Sequence, residues 1–272
     1  LKPQIKNNLP FSEYINYPAM SKSKLFRLDK GPAEFLAPPG KSTPAMEFGR
    51  LAHLRFLEPV RFAKEVVQEV KFDRRTKVGK ADYAEWMELN RNMQIVKKSD
   101  MDTLYNMALA LDNYTIAKNL LNHGDSEVSC FFEWRDILWK TRFDKLNTNT
   151  SLNIIVDYKT TKDIYKFDND IFNFGYDVQS ALYRKAAGSY FGVPFNFLLV
   201  AQQKTTPYAV AVKNMTISEG GKPSPNEIGE TRLDNLIGKY KLYESAGWKL
   251  LDGRYIDDTI KVVKVPQWAL YL

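Results

Sequence analysis

Ile154-Ile155-Val156-Asp157-Tyr158-Lys159-Thr160-Thr161 is the stretch that decides the fold. It begins as an apolar run suited to a buried strand, then presents a carboxylate and an ammonium on alternate residues. Side chains alternate across a strand, so Asp157 and Lys159 share one face while Tyr158 points to the other. Opposite charges beside a core strand are costly unless they are paired or have a task. Upstream, Thr141-Arg142-Phe143-Asp144-Lys145-Leu146 can pair as the preceding strand and supply a second carboxylate, Asp144. Alone, the pattern also fits a surface ion pair on an edge strand.

Working outward, strands are expected over 127–134, 137–146 and 152–158, with Arg135-Asp136 as a tight turn and 147–151 as a longer one. Helical periodicity returns over 174–187. Two strands, 195–203 and 208–214, are joined around Pro207; a polar loop spans 218–225 and a helix 227–246. A closing segment over 248–255 precedes a basic-apolar tail. On the N-terminal side, residues 1–20 read as an irregular arm punctuated by Pro3, Pro10 and Pro18. Ser21 caps a helix that stops near Gly31-Pro32, and a short turn follows through Phe35 and Leu36. Met46, Phe48, Leu51, Leu54 and Leu57 recur at helical spacing until Pro59. Residues 81–121 read as two helices, Tyr83–Val96 and Met101–Leu121. The order implies a single α/β domain over 1–272, with a helical N-terminal elaboration.

With 272 residues, 44% hydrophobic and 26% charged, the chain has the composition of a globular protein with a substantial core. A net charge of +7 favours a polyanionic partner. The single cysteine, Cys130, excludes an internal disulfide and a cysteine-ligated zinc or iron–sulfur centre; between Val128 and Phe131 it reads as a buried apolar residue. No run reaches the roughly 18 apolar residues of a membrane span, and no signal-peptide core is evident, so a cytoplasmic location without membrane contact is expected.

Other polar signals fall along the chain. His53 lies in an otherwise apolar helix, and Gly49, one turn earlier, suggests that something approaches closely there. Standing alone, the pattern also fits a hydrogen-bonded structural histidine. Gln179 and Tyr183 share one helix face as an i,i+4 pair. Glu127 opens the first strand, as a site carboxylate or a strand-edge charge. Lys71 to Lys80 carries five basic residues against one acid, with Gly79 lending flexibility: a DNA-contacting segment or a solvated loop.

Taken in order, G-x-x-x-H, E, D-(x)12-D-x-K and Q-x-x-x-Y resemble the PD-(D/E)xK nuclease superfamily, in the branch of RecB-type nucleases and RecE-like phage exonucleases. Ser21-Lys22-Ser23, Leu57-Glu58-Pro59-x-Arg61-Phe62, Asp73-Arg74-Arg75-Thr76-Lys77 and Tyr176-Asp177-Val178-Gln179 sharpen the likeness to the RecE-like group. The resemblance implies a restriction-endonuclease-like core, a central mixed sheet flanked by helices. It implies Mg²⁺, with Mn²⁺ as a substitute and two ions per site, held by Asp144, Asp157, the Tyr158 carbonyl and His53, with Glu127 the least secure ligand. Lys159 would orient or deprotonate the attacking water, and Gln179 and Tyr183 would position the scissile phosphate or the end nucleotide. Arg74, Arg75, Lys77 and Lys80 would contact DNA phosphates. It further implies 5′→3′ digestion of linear duplex DNA to leave 3′ overhangs, a RecT-like single-strand annealing partner, and a homo-oligomeric ring, trimer or tetramer. Alternatives are another RecB-type repair or CRISPR-associated nuclease, or a DNA-binding protein whose catalysis has lapsed on the same fold.

Overall fold

The structure, a computed structural model, describes residues 2–148 and 152–248. In chain order the strands are β1 (Gln4–Lys6), β2 (Val66–Gln68), β3 (Gln94–Val96), β4 (Asp125–Trp134), β5 (Ile137–Asn147), β6 (Ile154–Thr161), β7 (Asn196–Gln203) and β8 (Val210–Asn214). The helices are α1 (Phe11–Asn16), α2 (Lys22–Phe26), α3 (Pro32–Leu36), α4 (Pro44–Leu57), α5 (Pro59–Glu65), α6 (Lys77–Leu89), α7 (Lys98–Asp112), α8 (Thr115–Asn122), α9 (Phe167–Asn173), α10 (Tyr176–Phe191) and α11 (Pro225–Ser245).

Six strands form one mixed sheet in the order β1-β4-β5-β6-β7-β8. β6 and β7 run parallel, and the connection between them carries α10 across the sheet; the other pairings in this sheet are antiparallel. One apolar core lies under α10 and α11, built around Trp139, Phe143, Phe197, Leu182 and Leu236. A second fills the opposite face beneath α4, α7 and α8, with Leu51, Leu104, Met107, Val156, Tyr158 and Val200. This is the mixed sheet flanked by helices expected of a restriction-endonuclease-like core, with helices added on the N-terminal side. β6 is therefore a central strand, which excludes the edge-strand reading of its charges.

Local chemistry explains the main boundaries. Thr43 caps α4 by accepting from the Met46 N–H, with Pro44 in the first turn. Ser224 and Glu227 form a reciprocal capping box at the start of α11. Arg135 and Asp136 both adopt positive φ, as the tight β4–β5 hairpin requires. Cys130 is buried, its thiol pushed up to about 12 by that burial.

Several expectations are corrected. The N-terminal arm is not irregular: β1 pairs with β4, α1 follows, and the Lys140 ammonium donates to the carbonyls of Tyr14, Ile15 and Tyr17 at 2.7–3.0 Å. That anchor is tertiary, so prolines alone gave no hint of it. The helix expected over Tyr83–Val96 starts earlier, at Lys77, and ends at Leu89. Gln94–Val96 instead pairs in parallel with β2. Three-residue strands are too short to display a period. The helix expected over Met101–Leu121 breaks at Asn113 into α7 and α8. Gly79 is not a flexible joint; it is buried, and a Cβ there would collide with the Asp73 carbonyl. The closing segment after Trp248, and 149–151 of the expected turn, lie outside the described residues. Among the described residues no helix is long and apolar enough to cross a membrane.

Candidate metal and active site

The site is built where the sheet opens. β6 pairs with β7 along all eight of its residues, Ile154 to Thr161. With β5 it pairs only at Lys145–Val156, Leu146–Ile155 and Asn147–Ile154. One further step in that register would set Asp144 opposite Asp157; there the strands part. Farther along β5, Met20 takes the vacated edge, accepting from Lys140 N–H and donating to the Leu138 carbonyl, both at 2.8 Å. A fork is left around Thr141–Asp144.

Backbone groups inside the fork still need partners. The Tyr158 N–H donates to Asp144 Oδ2 at 2.8 Å, so a side chain replaces the lost ladder bond. The N–H and C=O of one strand residue leave on the same edge, so the Tyr158 carbonyl also enters the fork. On the other side the backbone N–H of Arg142 meets the Tyr183 hydroxyl.

β4 and β5 contribute a second irregularity. Their register is unbroken from Asp125–Leu146 to Trp134–Ile137 except that Glu127 and Asp144, which face each other, do not pair. Glu127 sits at φ +55°, a left-handed conformation that costs a non-glycine residue about 1–3 kcal/mol. Alternation reverses here. Phe143 and Leu146, three residues apart, both pack in the core under α10, as does Val128. Ser126 instead reaches the opposite layer, donating to the Leu57 carbonyl at 2.8 Å. The reversal turns two carboxylates into one place.

There they meet His53 from α4. Ligand atoms of His53, Glu127 and Asp144 all lie within 4.8 Å of one another, and His53 Nδ1 is 3.5 Å from Asp144 Oδ2. The imidazole rests edge-on against Tyr158, ring centroids 5.5 Å apart. Gly49 does not mark a forced close approach: a Cβ there would sit 3.7 Å from Thr160 Oγ1, an ordinary contact. Asp157 lies beside this group, buried, with Gln179 donating to Oδ1 at 2.6 Å and the Lys159 ammonium against Oδ2, an oxygen with no other donor among the described residues. Lys159 also faces the Tyr176 ring at 5.1 Å. Arg142 holds Glu127 through its Nε at 2.5 Å and donates to the Leu9 carbonyl at 2.8 Å, tying the N-terminal arm to the site.

The electrostatics are those of a site short of positive charge. Burial, then Asp157, lifts the Asp144 carboxyl well above the usual range. Burial, then Asp144, lifts Glu127. Burial, then Lys159, holds His53 below its ordinary value and so keeps it neutral, as a metal ligand must be. Burial works against the Lys159 ammonium, but Asp157 and Asp144 outweigh it and hold its pKa up. Without a metal ion Lys159 is thus a proton-bearing donor. Carboxylates directly opposite on neighbouring strands repel unless a cation joins them. An oxygen-rich set with one imidazole suits Mg²⁺ or Mn²⁺, the nitrogen favouring the latter.

The structure thus brings together His53, Glu127, Asp144, Asp157, Tyr158, Lys159 and Gln179. Tyr183 stands behind them, its ring against Phe143 and Phe197 and its hydroxyl on the β5 edge. Arg74, Arg75, Lys77 and Lys80 are exposed around the start of α6. Arg75 pairs with Asp73 at 2.8 Å and Arg74 covers the Tyr83 ring, and among the described residues nothing joins the four to the site. Arg142 was missed: it reads as one more strand charge until the arm and Glu127 are seen on it. Lys22 and Tyr176 stand out in the sequence only as parts of family-like motifs.

No curated protein matches this chain. In three dimensions it is similar to a crystal structure from Eubacterium rectale described as a putative exonuclease, with a TM-score of 0.56, 15% identity and 96% of each chain covered. That similarity bears on the fold. The structure of SSO0001 aligns over 81% of this chain and 93% of its own at 16% identity, but its TM-score of 0.29 carries no weight. Residues 21–222 match the model of the PDDEXK-like domain of unknown function, DUF3799, a span that takes in every residue of the fork. The chain belongs to that PDDEXK-like family.

Proposed function

We propose that the protein is a metal-dependent deoxyribonuclease that hydrolyses phosphodiester bonds at the ends of linear duplex DNA. The observation that carries this reading is the fork. A central strand gives up pairing with its neighbour at the point where three acids, a neutral histidine and a protonated lysine converge. A structural ion pair would not require such a sacrifice.

Asp144, Glu127 and His53 would hold one divalent ion, and Asp157 with the Tyr158 carbonyl could share it or hold a second. The bound ion would supply charge neutralisation at the phosphate and a water activated near neutral pH. Gln179 fixes one oxygen of Asp157, leaving the other for Lys159 or a cation. Lys159, as an ammonium, orients the attacking water and steadies charge developing on the phosphate. Tyr183 acts at one remove, holding the β5 edge open.

Digestion from the 5′ end to leave a 3′ overhang, a single-strand annealing partner and a ring of subunits around the DNA complete the proposal; these rest on the RecE-like resemblance. The test is incubation of 5′-labelled linear duplex with Mg²⁺ or EDTA. Metal-dependent release of labelled mononucleotide is expected. Binding without degradation of either strand would favour a lapsed nuclease, and release confined to the 3′ end would overturn the polarity.

A further inference from the structure

One cation beside the fork has no acidic partner among the described residues. Lys22 lies in the first turn of α2, which Ser21 caps by accepting from the Lys24 N–H. Its ammonium donates to the Phe174 carbonyl at 2.5 Å, and no carboxylate of the described residues lies within salt-bridge distance of it. It is wrapped by aromatic faces, 4.6 Å from the Phe26 centroid and 5.7 Å from that of Tyr176. The Tyr176 ring also carries Lys159 at 5.1 Å. One ring is therefore shared by the fork's lysine and a second lysine, on an element distant in sequence. Burial, then Lys159, pulls the Lys22 pKa down to about 7. A carbonyl and two ring faces satisfy an ammonium only in part; a dianionic or diester phosphate is the natural complement.

We infer that Lys22, with Tyr176 as its floor, forms a second phosphate subsite that takes the phosphate next to the one held at Lys159. This rests on the nuclease reading of the fork and deepens it: the site would grip two successive phosphates of one strand. Lys22 thus acts in positioning, by setting which diester lies over the metal ligands.

The test uses thymidine 3′,5′-bisphosphate, which has two phosphates and no diester to cleave, with thymidine 3′- and 5′-monophosphates as controls, all with Mg²⁺. The parent should bind the bisphosphate about 10- to 100-fold more tightly than either monophosphate, the range for a hydrogen bond to a charged group. Lys22→Met should close that gap, and Lys22→Arg should retain much of it. If Lys22→Met melts lower than the parent, Lys22→Gln, which keeps a neutral hydrogen-bond donor on a polar side chain, replaces it. An undiminished gap in the neutral variants, or none in the parent, overturns the inference. The two readings fail separately. A gap that depends on Lys22 in a protein that cuts no DNA would sink the nuclease and keep the subsite; cleavage with a gap indifferent to Lys22 would do the reverse.

Discussion

The two edges of β6 follow opposite rules. Toward β7 every residue is paired, and the partners Phe197, Leu199, Val200 and Ala201 are apolar and buried. Toward β5 the ladder stops after three residues, and carboxylates occupy the space that backbone bonds would have filled. The same strand thus serves as a structural beam on one side and a chemical edge on the other. The comparison teaches that the rigid edge fixes the position of the reactive one: Asp157 and Lys159 cannot shift without breaking register with Leu199 and Ala201.

If that division holds, removing a fork carboxylate should destroy activity and spare the fold. Asp157→Ala is expected to lower metal-dependent cleavage on the order of 10³-fold, while duplex binding without metal stays the same or tightens, because a carboxylate near phosphate repels it. Cleavage by the variant at the parent's rate would place the chemistry elsewhere.

Asp144→Asn sharpens the contrast through stability. In metal-free protein, at a pH above the raised Asp144 pKa, it removes a buried negative charge facing Asp157 and Glu127, and the amide oxygen can still accept from Tyr158. Each kcal/mol so gained raises the melting temperature by about 2–4 °C in a chain of this size. The parent should be stabilised by Mn²⁺, by about 2.7 kcal/mol at a hundredfold excess over Kd, and the variant should not. A lower melting point for metal-free Asp144→Asn would mean that the carboxylate holds the fork together instead of being strained by it.

The pH dependence follows from the same groups. Asp144 and Glu127 have folded pKa values raised above the unfolded ones, so their contribution to stability is complete below the ordinary carboxylate value of about 4 and lost as pH rises through the raised values. His53, lowered, runs the other way: its contribution is present above about 6.5 and lost as pH falls through its lowered value. Above about pH 6.5 the acids lower the melting temperature of metal-free protein as pH rises, while Lys22, its pKa pulled down to about 7, opposes them from that value upward; in metal-free Lys22→Met the melting temperature should fall with rising pH. Saturating Mn²⁺ should cancel that fall by replacing protons with a cation. A metal-free Lys22→Met protein whose stability is flat across this range would remove the like-charge strain from the fork.

How far the sequence reveals this division depends on what each signal is made of. Asp157, Lys159 and the strand that carries them are legible because alternation and an apolar run are local, whereas the central place of that strand comes from the sheet order. Asp144 is legible as a carboxylate in the preceding strand, yet nothing near it shows that the strands part there, since that depends on where Met20 and Tyr183 arrive. Glu127 is harder still. Its left-handed backbone carries no glycine or asparagine to announce it, and the reversal it causes is visible only as Phe143 and Leu146 packing on one side. Lys22 and Arg142 acquire meaning from partners some 150 and 15 residues away, Phe174 and Glu127. Composition and periodicity record no such meetings.

The basic stretch before and into α6 belongs to neither edge, and its contribution should be correspondingly modest. Neutralising Arg74, Arg75 and Lys77 together should weaken duplex binding and reduce the steepness of its salt dependence by about one unit for each phosphate no longer engaged. Cleavage of saturating DNA should persist. An unchanged slope in a salt titration would leave these residues as a solvated surface around Asp73 and Tyr83.

The mildest change belongs on the rigid edge. Ile155 is fully buried and is paired on both sides, with Leu146 and Phe197. Ile155→Val removes one methylene from the core under α10 and should cost about 0.5–1.5 kcal/mol, read from urea unfolding. Because the register of β6 on β7 survives the change, Asp157 and Lys159 keep their places, and cleavage per folded molecule should stay near the parent's. A loss of cleavage out of proportion to this small destabilisation would show that the two edges are mechanically coupled. In that case the fork's geometry would depend on core packing as well as on register.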